Sequence, residues 1–158
     1  MAAEKGVIES INVSLGGVPK LPVASARVST TGVSGDRQRD LRFHGGPDRA
    51  VCLYSMERLE ALQAAGHPIV PGSAGENLTI RGINWDRVVP GAVLRIGAVA
   101  LEITNFASPC GSIRPSFADD NSNHISQKLH PGWSRVYARV TSEGDVRVGD
   151  PVTLDDGR

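Results

Sequence analysis

The sequence predicts a mainly β fold closed into a barrel, with one clear helix and a few short helical turns. Three observations point there. Seven or eight short apolar or alternating runs recur along the 158 residues, the pattern of a small barrel rather than of a parallel α/β sheet. Glycine-bearing turns separate these runs. One window, residues 56–65, carries apolar side chains at helical spacing.

Taken in order, residues 6–14 form a first strand anchored by Ile8 and Ile11, and Gly16-Gly17-Val18-Pro19 turns the chain. Residues 23–29 form a second strand, with Val23, Ser25, Arg27 and Ser29 at period two, and residues 50–54 form a third. Ser55 suits a helix N-cap, and Met56, Leu59 and Leu62 make the apolar stripe of the helix that follows. Gly66 stops that helix and Pro68 keeps it from resuming. Residues 76–80 make a short strand, and residues 93–96 and 99–104 form a hairpin about Gly97. Residues 108–131 read as irregular, with short helical turns. Residues 133–140 return to a strand, Gly144-Asp145 turns, and Val152 to Leu154 closes the chain.

Composition narrows the partners. At 40% hydrophobic but 4% aromatic, the core is aliphatic. Lysine plus arginine equals aspartate plus glutamate at 17 each, which disfavours generic nucleic-acid binding; positive charge concentrates within residues 27–49. The start, Met-Ala-Ala-Glu-Lys-Gly, lacks the apolar region of a secretory signal, and no stretch reaches the length of a membrane span. The expectation is one cytoplasmic domain over residues 1–158, with its core at about 6–154. The two cysteines, Cys52 and Cys110, are then expected as free thiols.

Two stretches carry the candidate chemistry. Residues 32–54 hold four arginines, three aspartates, a histidine and four glycines ahead of an apolar run. Arg37, Arg39, Arg42 and Arg49 offer forked donors for phosphate or carboxylate, while Asp36 and Asp40 can hold the loop's shape. The alternative is a solvated loop whose charges pair with one another. The second stretch is Ser108-Pro109-Cys110-Gly111-Ser112-Ile113-Arg114-Pro115. Ser108 at an N-cap and Pro109 at the first helical position would set Cys110 in a first turn, where backbone N–H groups favour a thiolate. Arg114 would add charge on the same side. Cys110 is therefore read as a nucleophile or soft metal ligand, and Cys52, within an apolar strand, as core filler. His124 and His130 have the H-x5-H spacing of finger sites but lack a Cys pair. No nucleotide-binding or serine-hydrolase motif is present.

In order and spacing these pieces resemble the MOSC domain, the module named for the C-terminal part of molybdenum-cofactor sulfurases. The resemblance rests on Gly35-Asp36 with Asp40, His44-Gly45-Gly46 with Asp48-Arg49-Ala50-Val51 and Tyr54, Gly75-Glu76-Asn77-Leu78-Thr79, Pro109-Cys110, Arg135-Val136 and Gly149-Asp150. It implies a β-barrel of the pyruvate-kinase type and a site for the molybdenum cofactor (molybdopterin), with Cys110 as metal ligand. Cys110 is then expected to serve catalysis, with His44 or His130, whose ordinary pKa lies near neutrality, as the proton source and His44 the one taken as catalytic. Cofactor contacts are implied along the loop at Gly35, Asp36, Arg37, His44, Gly45, Gly46 and Arg49. Others are implied at Glu76 and Asn77, at Ser112 and Arg114, and at Arg135. The implied activity is reduction of N-hydroxylated bases or amidoximes with an external electron donor; the alternative is a carrier of the cofactor or its sulfur. The pattern departs from the family in two ways. Many members carry an arginine just before Pro-Cys, where this chain has Phe106-Ala107-Ser108; the alternatives are that Arg114 replaces it or that cofactor binding is altered. No pyridoxal-phosphate desulfurase domain of the sulfurases is expected in these 158 residues, so sulfur or electrons are expected from a partner.

Overall fold

A computed structural model describes residues 4–36 and 46–155. The strands are β1 (Glu4–Val13), β2 (Leu21–Val23), β3 (Ser25–Ser29), β4 (Gly32–Val33), β5 (Val51–Ser55), β6 (Leu78–Arg81), β7 (Val93–Ile96), β8 (Val99–Phe106), β9 (Val136–Ser142), β10 (Gly144–Arg147) and β11 (Pro151–Asp155). The α-helix α1 covers Met56–Ala64, and four 3-10 turns complete the elements. None of the described helices is long and apolar enough to cross a membrane.

Seven strands close a barrel in the order β11-β7-β8-β9-β5-β6-β1, and β1 pairs back onto β11 to complete the ring. The closing pair is antiparallel, with Glu4 opposite Leu154 and Val7 opposite Pro151. First and last strands thus seal each other, which removes the exposed edges an open sheet would present. β5 and β6 are parallel, and α1 supplies the crossover that a parallel pair requires. β2 extends β1 outside the ring, and β10, β3 and β4 form a small second sheet.

The interior follows from composition. Ile8, Ile11, Leu53, Leu78, Ile80, Leu94, Ile96, Leu101 and Leu154 are at most 1% exposed, so short aliphatic side chains fill the barrel. Ser55 caps α1, its Oγ accepting the Arg58 N–H at 3.1 Å, and Met56, Leu59 and Leu62 are its buried face. The helix ends at Gly66, whose φ of +99° suits glycine.

Two expectations need adjustment. The strand foreseen at 23–29 is two strands: β2 pairs with β1, whereas β3 pairs with β10, so the chain changes sheets at Ala24. Alternation alone does not reveal such a transfer. The strand foreseen at 133–140 begins at Val136, and Tyr137 is buried along with Val136 and Ala138, because one face of β9 packs into the barrel and the other lies under the Cys52–Ala107 layer.

Gly6 sits where β1 passes β6. A Cβ there would collide with the Arg81 carbonyl oxygen and approach Ile83 Cγ1 to 2.9 Å. Gly6→Ala is expected to destabilise the fold by about 1–3 kcal/mol, seen as a lower urea midpoint with an unchanged slope.

Candidate functional site

Cys110 is placed by the end of β8 and the turn that follows. It stands in extended conformation, φ −128° and ψ 169°, as the residue before a 3-10 turn, Gly111–Ser116. The helical start is therefore two residues later than Ser108 and Pro109 suggest: Cys110 is itself the cap position. Its Sγ lies 2.8 Å from Ser112 Oγ. Burial opposes ionisation of this thiol, but the hydrogen bonds of the Ser112 hydroxyl and the Ser112 and Ile113 N–H groups, with the charge of Arg135, outweigh it. The thiol therefore ionises below its ordinary range, and it is only partly buried.

Arg135 is the cation of this site. It is 5% exposed. Its Nη1 donates to Ala74 O at 2.7 Å and its Nη2 to Ser108 O at 3.1 Å. Its Nε is buried without a hydrogen-bond partner among the described residues. Arg114, the replacement expected from sequence, turns back on its own segment, donating from Nε to Gly111 O at 3.3 Å. The guanidinium next to Pro-Cys is thus supplied by the residue that precedes β9, not by the residues beside the cysteine.

Tyr137, which sequence reasoning left out, completes the group. It pairs with Cys52 across the sheet, and the Arg49 guanidinium stands 5.4 Å from its ring centroid. Burial, with smaller effects from Cys52 and Cys110, raises its phenol to about 12 against the lowering charges of Arg135 and Arg49. The signal was present: an aromatic residue two positions from a buried arginine. It was hidden because period-two alternation assigns Tyr137 to the outer face. Arg49 ends a 3-10 turn, Pro47–Arg49, that follows Gly46, and Arg139 Nε holds Asp48 at 2.9 Å.

Asp36, Glu76 and Asn77 have structural partners. Asp36 forms a buried ion pair with Lys20 at 2.7 Å, accepts the Ser14 N–H at 2.9 Å, and accepts from Asn77 Nδ2 at 2.9 Å. Asn77 also accepts the Cys52 N–H at 3.0 Å and donates to Asn12 O at 3.3 Å. Its side chain is therefore satisfied inside the protein. Glu76 Oε2 accepts the Thr79 hydroxyl at 2.9 Å, while Oε1 has no partner among the described residues. Burial pushes the Glu76 carboxyl up. These residues tie β1, β5 and β6 to the beginning of the arginine loop. Gly35 and Asp36 end the first described segment. Arg37, Arg39, Asp40, Arg42, His44 and Gly45 lie outside the described residues.

Cys52 behaves as its apolar setting predicts. It is 4% exposed, and burial raises its thiol to about 11. His130, considered from sequence as a proton source, stacks on His124 of the 3-10 segment Ser122–Ile125, with centroids 6.4 Å apart.

The closed β-barrel agrees with the comparisons. The MOSC domain profile matches residues 40–153, and the chain belongs to the MOSC domain family. It is 31% identical over 140 residues to the uncharacterized protein YflK of Bacillus subtilis, covering 87% of this chain and 62% of the relative. It is 29% identical over 128 residues to the protein YiiM of Escherichia coli, covering 78% and 56%. The chain thus spans less than two thirds of either relative. The crystal structure of YiiM from Geobacillus stearothermophilus superposes with a TM-score of 0.72 at 26% identity, over 95% of this chain and 75% of that one.

Iodoacetamide at neutral pH is expected to modify Cys110 in preference to Cys52 by on the order of a hundredfold, from thiolate fraction alone. Peptide mapping of native protein checks this; faster labelling of Cys52 would reverse the assignment.

Proposed function

We propose that this chain binds the molybdenum cofactor through Cys110 and reduces N-hydroxylated substrates such as hydroxylaminopurines or amidoximes, with electrons from a partner reductase in the cytoplasm. The observation that carries the proposal is the Cys110 thiol, only partly buried and held toward ionisation by Ser112, two backbone amides and Arg135. A thiolate is the soft donor that a thiophilic metal selects.

The residues fit such a group. Cys110 supplies the metal ligand. Arg135 keeps a buried N–H without a partner among the described residues, as expected of a site whose occupant brings acceptors. Arg49, with the expected donors of residues 37–45, provides the cationic side for the cofactor's phosphate. The chemistry a bound molybdenum centre supplies is two-electron removal of oxygen, in which the N–O bond breaks, two electrons come from the reductase and two protons complete water.

This chain's residues set the conditions for that reaction. Ser112 Oγ and the Ser112 and Ile113 N–H groups hold the Cys110 sulfur toward ionisation. Arg135 fixes the turn before Cys110 through Ser108 O. Tyr137 keeps its proton at neutral pH and so offers a donor but no anion. Proton delivery is assigned to His44, whose ordinary pKa lies near neutrality.

The test uses protein from a cofactor-competent host, with molybdenum and pterin quantified before assay. Wild-type protein is expected to hold near-stoichiometric molybdenum and, with a chemical reductant, to consume an N-hydroxylated purine or amidoxime. Cys110→Ser is expected to lower molybdenum content at least about tenfold, since an alcohol is a hard, protonated replacement. Full metal retention in Cys110→Ser contradicts the ligand assignment. Loaded wild-type protein that leaves several such substrates untouched but passes its cofactor to an acceptor enzyme is a carrier instead.

A further inference from the structure

Three side chains from two separate parts of the chain meet on the surface beside the 3-10 segments. His67 follows α1; Asp119 and His124 come from the excursion that begins at Cys110. His124 Nε2 lies 2.7 Å from Asp119 Oδ2. One ligating atom from each of His67, Asp119 and His124 lies within 4.8 Å of the other two. The rings of His67 and His124 are 4.5 Å apart, and Phe117 packs against both at 5.6 Å. None of these groups takes part in the Cys110 site.

We propose that His67, Asp119 and His124 form a binding site for a divalent transition metal, with Zn2+ the best match. Two imidazoles and a carboxylate are the nitrogen and oxygen donors that zinc takes, and a trio of protein ligands leaves a position for water. A tetrahedral ion with bonds of about 2.0–2.2 Å sets its ligand atoms roughly 3.4 Å apart, so rotation of the side chains is enough to close on it. The ion replaces the proton now shared between His124 Nε2 and Asp119 Oδ2. His67 is the ligand that must change a bond, because its Nδ1 accepts the Ala118 N–H at 3.1 Å. Ligation through either ring nitrogen of His67 releases that amide. Ala118 is exposed, so water takes over as acceptor. Phe117, 3% exposed, fixes the imidazoles from the protein side. His130 stacks on His124 but falls outside the ligand trio, so it serves as a control.

The consequence is mechanical. The ion ties the end of α1 to the segment running from Cys110 through Gly111–Ser116 and Ser122–Ile125, and so braces one wall of the thiol site without touching it.

The test is zinc titration of tag-free, metal-stripped full-length protein against a chromophoric chelator, with melting curves of each metal-free variant to confirm folding. Wild-type protein is expected to bind one Zn2+ per chain at micromolar zinc and to melt higher with zinc than without. His67→Ala, His124→Ala and the near-isosteric Asp119→Asn should each weaken binding at least about tenfold. His130→Ala and Cys110→Ser should bind as wild type. Absence of binding at micromolar zinc, wild-type affinity in any folded variant of the trio, or a comparable loss in His130→Ala or Cys110→Ser overturns the proposal.

Discussion

The structure around the thiol depends on one buried guanidinium. Arg135 reaches from just before β9 to the carbonyls of Ala74 and Ser108. It pins the 72–75 loop to the turn that presents Cys110. Its charge acts on Cys52, Tyr54, Glu76, Cys110 and Tyr137. Among these the partly buried thiol is the group whose own hydrogen bonds join with that charge to overcome desolvation. For Cys52, Tyr54 and Tyr137 burial wins, and the same field leaves them protonated at neutral pH. The Ser112 hydrogen bonds, joined by that charge, thus set Cys110 apart from the buried groups around it.

A second buried network supports the base of the arginine loop. The Lys20–Asp36 pair is 8% and 5% exposed, and Asp36 also accepts from Ser14 and Asn77. Two desolvated charges are tolerable because their hydrogen-bonding capacity is met; removing either partner of such a pair typically costs about 3–5 kcal/mol. Asp36 and Asn77, expected from sequence as cofactor contacts, therefore also have a physical role within the fold, while Glu76 Oε1 keeps no partner among the described residues. Asp36 and Asn77 anchor the loop's entry to β1, β5 and β6.

Much of this was legible in the sequence, and the failures have physical causes. The Ser55 cap, the Met56-Leu59-Leu62 stripe and the Gly97 hairpin were readable because local geometry dictates them. Barrel closure was readable from the number of short strands and the glycine turns between them. The pairing that closes the ring, β1 with β11, was not, since it joins residues far apart in sequence. Cys110 stood out through its turn chemistry, yet its charge partner was sought at Arg114, where a helical period would put it. The 3-10 turn begins after Cys110, and the cation arrives from the residue just before β9. Likewise His124 was weighed against His130 at finger spacing, whereas its neighbours in space are Asp119 and His67. Sequence distance finds partners within one turn and misses those delivered by topology.

The central claim is that the Ser112 turn, with the charge of Arg135, lowers the ionisation point of the Cys110 thiol. The most direct measurement is the thiolate absorbance of Cys110 against pH in a Cys52→Ala background, with Arg135 intact, Arg135→Lys and Arg135→Gln, each checked for cooperative melting. With Arg135 intact the midpoint should fall below the ordinary thiol value of about 8.5. It should rise in Arg135→Gln and rise less in Arg135→Lys, which keeps the charge. A midpoint at or above the ordinary value with Arg135 intact, or one unmoved by Arg135→Gln, would contradict the claim.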